Sequence, residues 1–328
     1  MFLPFSGCRT RCIFCSQEAQ TGRRSRPVPL LLAQAEAELR DRAARTDAPF
    51  ELAFYGGSFT ALAEEELSAC LNFAARWMRA GLVAGFRCST RPDAVDWSVS
   101  ARLRSAGCST VELGVQSFAD SALALCGRAY SGGQAREACT MLREAGLQLG
   151  VQLLPGMPGL CPELAQQDVQ WTARLGPDCV RLYPCLVLRD TALEHLWRQG
   201  GYRPWELEET LDYLASACLS FWQAGVPVIR MGLADEPGLA GKVLAGPRHP
   251  CLGGRARARA LYLYIRELVQ GFAPDVPQPG LLLAAPRRAQ GEFWGWKGEL
   301  APLYAELGLG RGRVCWWDKE HFALGVGL

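Results

Sequence analysis

The sequence predicts an α/β fold: a parallel sheet with helices outside it, followed by a C-terminal extension of different character. Three observations predict it. Over the first 230 residues, strand-like apolar runs alternate strictly with helix-like stretches, and strict β-α alternation builds a parallel sheet. From about Met231 the alternation stops and Gly and Pro become dense, in EPGLAGKVLAGPRHP. The length of 328 residues suits one large barrel domain plus an extension, or two domains. The expected division is 1–230 for the barrel and 231–328 for the extension.

The expected strands, in order, are Met1–Phe5, Glu51–Tyr55, Phe86–Ser89, Thr110–Val115, Gln148–Leu154 and Cys179–Tyr183. Between and after them come helical stretches near Leu30–Ala44, Glu64–Ala80, Ser98–Ala106, Gly133–Ala145, Pro162–Leu175 and Leu207–Ala224. The helix from Gly133 shows the logic. Ala135, Ala138, Cys139, Leu142 and Ala145 recur at helical spacing, and Gly146 stands just past the end. Six such units suit an incomplete barrel. In the extension, a helix is expected over Gly254–Gln270, then a Pro-rich stretch (APDVPQPG), a short apolar run, and a final strand at Arg313–Trp317.

Composition narrows the class. Hydrophobic content of 49% supports a sizeable core and argues against disorder. A net charge of +2 does not demand a nucleic-acid partner and leaves room for a local basic groove. No apolar run is long enough to span a membrane, and MFLPFSGC is too short and too quickly interrupted for a signal peptide. Fourteen cysteines in such a chain point to a reducing, cytoplasmic setting. The chain begins abruptly inside its first expected strand, which leaves room for a few native residues upstream of Met1.

Three of those cysteines, Cys8, Cys12 and Cys15, stand in CRTRCIFC with C-x3-C-x2-C spacing. Three thiolates on one short loop can hold three irons of a [4Fe-4S] cluster, which ordinarily takes four cysteines. The remaining iron is then open to another ligand, and S-adenosylmethionine (SAM) can fill it with its amino and carboxylate groups. A structural zinc site wants four N or S ligands, and no His or further Cys lies within fifty residues of the motif. The other eleven cysteines form no C-x2-C pair, and most lie in apolar segments. The spacing, with Phe14 before the last cysteine, resembles the radical SAM superfamily. That resemblance implies a (β/α)6 partial TIM barrel, a [4Fe-4S] cluster, SAM, and an electron donor such as flavodoxin or ferredoxin.

In a parallel barrel, active-site residues sit at the C-terminal ends of strands and on the loops after them. Several polar signals fall there. YGGSFTAL (55–62) places Gly56, Gly57 and Ser58 after the second strand. The glycines let backbone approach a ligand closely, and Ser58 reads otherwise as a helix N-cap. CSTRPDAV (88–95) carries Ser89, Arg91 and Asp93, which share a face if the strand continues; Asp93 after a proline reads equally as turn chemistry. VELGVQSF (111–118) puts Glu112, Gly114 and Gln116 on one face, where burial is costly without a ligand or a polar network. Arg128 offers a planar fork for a carboxylate. Gln152 ends the fifth strand and Tyr183 the sixth.

Taken together, YGGSFTAL, STRPD, VELGVQS, LLPGMPG and VRLYPCLVLRDTALEHLW resemble the branch containing the catalytic subunit of Elongator, and more distantly the oxygen-independent coproporphyrinogen oxidases. Elongator's subunit modifies wobble uridines of tRNA using SAM and acetyl-CoA. The resemblance is closest to short bacterial Elongator-like forms, and runs on into IRMGL and VLAGPRHPCL (229–252). It implies that Cys8, Cys12 and Cys15 hold the cluster and that Phe14 lies against the adenine. It further implies that Gly56, Gly57 and Ser58 take the methionine end, and that Gln116, Arg128 and Gln152 line the ribose and carboxylate. Ser89 and Glu112 complete the expected cofactor wall. Two departures stand out: Ser89 replaces a glutamate of Elongator and the oxidases, and Gln152 replaces an aspartate of the oxidases. Residues 231–328 are too few and too unlike an acetyltransferase to supply Elongator's second domain. GLGRGRV (308–314) has glycines but not the strand context of an acetyl-CoA loop.

The extension carries His249, Arg248, Arg255, Arg257 and Arg259, and later Trp294, Trp296, Trp316 and Trp317. Arginine beside aromatics can bind phosphates and stack bases; the plain alternative is a solvated helix face with packed tryptophans. His249 lies in a GPxHP neighbourhood that recurs in the Elongator-like resemblance. The expected catalytic group comprises Tyr183, Arg91, Asp93 and His249. The leading expectation is a radical SAM enzyme acting on tRNA. Its alternatives are a small-molecule or tetrapyrrole substrate, and a non-catalytic iron–sulfur or RNA-binding protein on an old barrel.

Overall fold

A computed structural model describes residues 1–22, 24–45, 48–233, 238–239, 241–272 and 280–326. These residues group into two compact units whose chain segments interleave: Met1–Trp205 with Val226–Pro247, and Glu206–Gly225 with Arg248–Leu328. The expected boundary at residue 230 falls inside a strand of the first unit, and the helix after Leu207 belongs to the second. Most of the Pro-rich APDVPQPG stretch lies outside the described residues.

The first unit holds strands β1 (Phe2–Leu3), β2 (Phe50–Gly56), β3 (Val83–Thr90), β4 (Cys108–Gln116), β5 (Gln148–Leu153), β6 (Cys179–Leu182), β7 (Val187–Leu188), β8 (Val228–Met231) and β9 (Val243–Ala245). Seven of them form one parallel sheet in the order β1-β2-β3-β4-β5-β6-β8. β7 and β9 pair separately and antiparallel. The sheet is the expected partial barrel with one strand more than the six expected. β8 escapes a pattern search because it is four residues long and carries Arg230 at its centre.

The helices of this unit are α1 (Gln17–Thr21), α2 (Val28–Ala43), α3 (Glu64–Arg79), α4 (Trp97–Ser105), α5 (Asp120–Leu125), α6 (Gly132–Glu144), α7 (Pro162–Leu175) and α8 (Ala192–Arg198). Each long one buries a single stripe. α3 turns Leu67, Cys70, Leu71, Phe73, Ala74 and Trp77 inward and keeps Glu64, Glu65 and Glu66 in its first turn, where the helix dipole favours acids. α6 starts at a capping box of Ser131 and Gln134 and stops before Gly146 at φ 76°, a left-handed stop that glycine tolerates. Phe54, Phe59 and Phe86 form an aromatic core under the ends of β2 and β3, with Phe54 and Phe59 stacked at 4.7 Å.

The second unit contains α9 (Leu207–Gln223), α10 (Leu252–Phe272) and a small sheet of β10 (Leu281–Pro286), β11 (Val314–Trp317) and β12 (Ala323–Val326). β10 lies centrally, parallel to β11 and antiparallel to β12. The expected final strand is therefore the penultimate one. Ile265, Leu283, Phe293 and Tyr304 anchor its core, with Phe293 and Tyr304 stacked at 4.2 Å. Trp294 and Trp316 meet Phe293 edge-on, so two of the four tryptophans build this core. Among the described residues, no helix is long and apolar enough to cross a membrane.

Candidate active site

The site grows from the contact between the first two strands. β1 pairs with the very end of β2, Phe2 opposite Tyr55 and Leu3 opposite Gly56. The chain then turns through Phe5 and Gly7, both at positive φ, and lays Ser6 on the glycine pair. A Cβ on Gly57 would stand 1.9 Å from the Ser6 carbonyl oxygen, and one on Gly7 2.2 Å from that of Ser58. The Ser58 N–H donates to Ser6 O at 2.9 Å. Gly57 thus serves the approach of backbone to backbone. Gln17 locks the same junction: its side-chain carbonyl accepts from the Phe5 N–H at 2.6 Å, and its amide donates to the Gly56 carbonyl. Ser58 heads a short 3-10 turn without capping it. Its hydroxyl lies 3.5 Å from the Cys8 sulfur instead, which disfavours the N-cap explanation for this serine.

The cysteine loop is pinned by Ile13, whose N–H donates to Cys126 O and whose carbonyl accepts from the Leu193 N–H. Cys8, Cys12 and Cys15 are unpaired thiols of intermediate exposure that line one cavity of about 540 Å³. Burial pushes the Cys15 thiol up to about 12, and the neighbouring sulfurs of Cys12 and Cys8 add to the shift. The three thiols share one cavity wall, and among the described residues no three His, Cys, Asp or Glu side chains are gathered tightly enough to hold a single metal ion. Arg128 answers the thiols: its Nη1 donates to the Cys12 sulfur at 3.1 Å. Its Nε donates to the Tyr130 hydroxyl at 2.8 Å and its Nη2 to Gly114 O. Cys126 turns its thiol toward Pro158 O and does not line the cavity. A trio of thiols beside a buried cation fits three thiolate ligands of an iron–sulfur cluster, since metal binding removes the cost of ionising them.

The strand ends supply the cavity's polar wall. Gly56, Gly57, Ser58, Ser89, Gln116 and Gln152 all line it, with Phe14 beside the cysteines. Glu112, Gly114 and Gln116 line it together despite an irregularity near the end of β4. Gln116 takes φ 66°, a left-handed conformation that costs a non-glycine residue energy and recurs at functional sites. Gly114 leaves room for it, because a Cβ there would come within 2.9 Å of the Gln116 amide nitrogen.

Glu112 is fully buried and is the hub of a network rather than a free ligand. It accepts from Tyr55 OH at 2.6 Å, Arg181 Nη2 at 3.0 Å, Gln152 Nε2 at 3.1 Å and Arg87 Nη1 at 3.3 Å. Arg181 Nε also lies 2.6 Å from Glu112 Oε2, a charge contact whose N–H is not aligned for a hydrogen bond. Burial pushes the Glu112 carboxyl up, but hydrogen bonds from Arg181 and Tyr55 outweigh it and hold the group below the usual carboxylate range. Burial and the hydrogen bond to Glu112 push the Tyr55 phenol up, so it stays protonated.

The expected catalytic residues scatter. Tyr183 and Arg91 line the cavity. Arg91 reaches the cysteine loop through Thr10 at 3.2 Å and pairs with Asp93 through two bonds of 2.9 Å. β3 ends at Thr90, so Asp93 sits in a separate 3-10 turn and lines an adjoining pocket. It does not share the strand face with Ser89. His249 belongs to the second unit, accepts the Cys251 N–H on Nδ1 at 3.0 Å and packs edge-on against Trp296. The expected basic helix face is spoken for as well. Arg255 pairs with Glu299 and Glu208, Arg257 with Glu292, and Arg259 with Asp212 and Glu208. Gln17, Tyr55, Arg87, Tyr130 and Arg181 were not legible as site residues. For Tyr55 and Arg181 a signal existed, since Tyr55 directly precedes Gly56 and Arg181 shares a strand face with Tyr183 two residues on.

Residues 2–171 match the model of the radical SAM superfamily, and residues 177–260 that of the radical SAM C-terminal domain. The tRNA uridine(34) acetyltransferase of Methanocaldococcus infernus is 34% identical over 131 residues, 39% of this chain and 24% of the relative. Heme chaperone HemW of Mycobacterium tuberculosis (strain H37Rv) is 31% identical over 207 residues, 61% of this chain and 52% of the relative. The structure of the archaeal M. infernus Elp3 with an N-terminal deletion superposes with a TM-score of 0.57 at 24% identity, covering 76% of this chain and 65% of that one. This likeness bears out the fold, and the sequence matches bear out the resemblance to the Elongator-like branch. The match spans about a quarter of the acetyltransferase's length.

Proposed function

The chain belongs to the radical SAM superfamily and is an enzyme of that class, and from that premise we propose that it cleaves SAM reductively to act on tRNA. The carrying observation is the convergence of three thiols, the Gly56–Ser58 loop and the Gln116–Arg128 wall on one cavity. A [4Fe-4S] cluster, when bound, supplies the electron that splits SAM into methionine and a 5′-deoxyadenosyl radical. Cys8, Cys12 and Cys15 hold that cluster. Gly57 and Gln17 fix the cysteine loop against the Gly56–Ser58 loop, so that a ligand spanning both is gripped from two sides. Gln116, Gln152, Ser89 and Phe14 line the rest of the SAM site, and Glu112 holds Gln152 in place. Arg128 offsets thiolate charge at Cys12. A small electron carrier of the flavodoxin or ferredoxin kind delivers the electron.

The tRNA substrate rests on relatives whose printed name is tRNA uridine(34) acetyltransferase. A second reading, a tetrapyrrole or other small molecule, is favoured by the HemW match, which covers more of this chain. Two measurements decide. Anaerobically reconstituted protein with dithionite and SAM is expected to release 5′-deoxyadenosine and methionine. Mass spectrometry of tRNA nucleosides from a deletion strain is expected to show one modification lost; an unchanged nucleoside profile overturns the tRNA substrate in favour of the small molecule.

The SAM site makes its own prediction. Gln116→Ala removes a polar group lining the cavity and Arg128→Ala the cation beside the Cys12 sulfur, and each is expected to weaken SAM binding about tenfold or more. Calorimetric titration of the reconstituted protein reads this directly. Wild-type affinity in both variants, with the fold intact, would place the ribose and carboxylate elsewhere.

A further inference from the structure

The lining of the cavity is rich in positive charge. Among the described residues, five arginines line it, Arg11, Arg91, Arg128, Arg181 and Arg230, against a single acid, Glu112. Three are answered: Arg91 by Asp93, Arg181 by Glu112, and Arg128 at the Cys12 sulfur. Arg11 lies over the Phe5 ring at 4.2 Å, and neither it nor Arg230 has a carboxylate partner among the described residues. Arg230 is the informative one. It is Arg181's register partner across β6 and β8, at the edge of the sheet farthest from β1. Neighbouring parallel strands lie about 5 Å apart, so two guanidinium groups start side by side on one wall. Glu112 compensates only the first. The Arg230 Nε donates to Gly232 O at 3.2 Å, while the Gly232 N–H donates to Leu182 O, which draws the guanidinium toward the level of Tyr183. The Tyr183 hydroxyl already accepts from Arg181 Nη1 at 3.4 Å, so its own proton is available to an acceptor.

Two neighbouring cations and a hydroxyl donor, half-buried in a cavity wall with one countercharge between them, favour an anion. A guanidinium fork matches phosphate oxygens in particular. We propose that Arg230 and Tyr183 form a subsite for a phosphodiester of the substrate RNA, on the wall built by β6 and β8; this rests on the tRNA reading above. It moves the RNA contact from the α10 arginines, whose charges are already paired, into the cavity mouth.

Holoenzyme binding to an unmodified tRNA transcript, measured over a series of KCl concentrations, tests both levels separately. Arg230→Gln is expected to weaken binding at least fivefold and to reduce the slope of log affinity against log salt by about 1, the loss of one phosphate contact. Arg79→Gln, on the exposed end of α3, is expected to change neither. On the wild-type protein, uridine 5′-monophosphate is expected to compete with the transcript at concentrations where uridine does not. No transcript binding by the wild type at low salt would sink the tRNA reading itself. Binding with the wild-type slope in Arg230→Gln, an equal loss in Arg79→Gln, or equal competition by nucleoside and nucleotide would overturn the subsite alone.

Discussion

Replacing Cys8, Cys12 and Cys15 together by alanine is expected to take bound iron from about four per chain to none, and to abolish 5′-deoxyadenosine release entirely. The thiols are only half-buried, so the change leaves little cavity and the barrel should persist. The one structural cost falls on Arg128, a buried cation that loses its sulfur partner. Cys12→Ser controls for this, because its oxygen can still accept from Arg128 while serving poorly as an iron ligand. Iron assay and visible absorption after anaerobic reconstitution provide the check. Iron that survives the triple change would refute the assignment, and a clear excess over four in the wild type would expose a second cluster. The remaining thiols make that second outcome unexpected. Cys70, Cys139 and Cys185 are fully buried and sit in the core as small apolar groups, and among the described residues they join no cluster of metal-ligating side chains.

The parts of the fold that were legible share one cause. A helix such as α6 writes its buried stripe, its cap and its stop into local sequence, so Ala135, Ala138, Cys139 and Leu142 could be placed before any contact was known. β8 could not, because four residues with an arginine at the centre make no pattern; its strand character comes from pairing with β6. The same divide runs through the site. Cysteine spacing and the Gly-Gly-Ser turn are local signals, and both lie where expected. The hydrogen bonds of Glu112 are not local: Tyr55, Arg87, Gln152 and Arg181 arrive from four other strands. A sequence shows that a buried glutamate needs partners and is silent about which they are. The α10 arginines err in the opposite direction. Their spacing reads as a basic face, but Glu208, Asp212, Glu292 and Glu299 come from other segments of the chain to neutralise it.

Gly57→Ala is expected to be nearly as damaging as losing a cysteine, though it removes nothing. The added Cβ would stand 1.9 Å from Ser6 O, 2.7 Å from its nitrogen and 2.8 Å from its carbonyl carbon. All three are backbone atoms, so no side chain can swing away and the whole turn must move. Movement breaks the Ser58 N–H bond to Ser6 O and shifts Cys8, two residues on. It also pulls Phe5 from Gln17, whose other end holds Gly56. Overpacking of this kind destabilises by about 1–3 kcal/mol, a modest drop in melting temperature for a chain this long. The functional loss should be larger, because the junction fixes the cysteine loop and the proposed methionine site relative to each other. Iron stoichiometry should fall below four, and SAM affinity by more than the tenfold expected for Gln116→Ala. Gly133→Ala gives the contrast. It sits in the first turn of α6 with its nearest neighbour, the Ser131 hydroxyl, at an ordinary contact distance of 3.4 Å, and should raise stability by about 0.5–1 kcal/mol. Should Gly57→Ala load iron and bind SAM like the wild type, the close approach of the two loops would be an accident of packing, and the cysteine loop would owe its position to Ile13 and the helices that hold it.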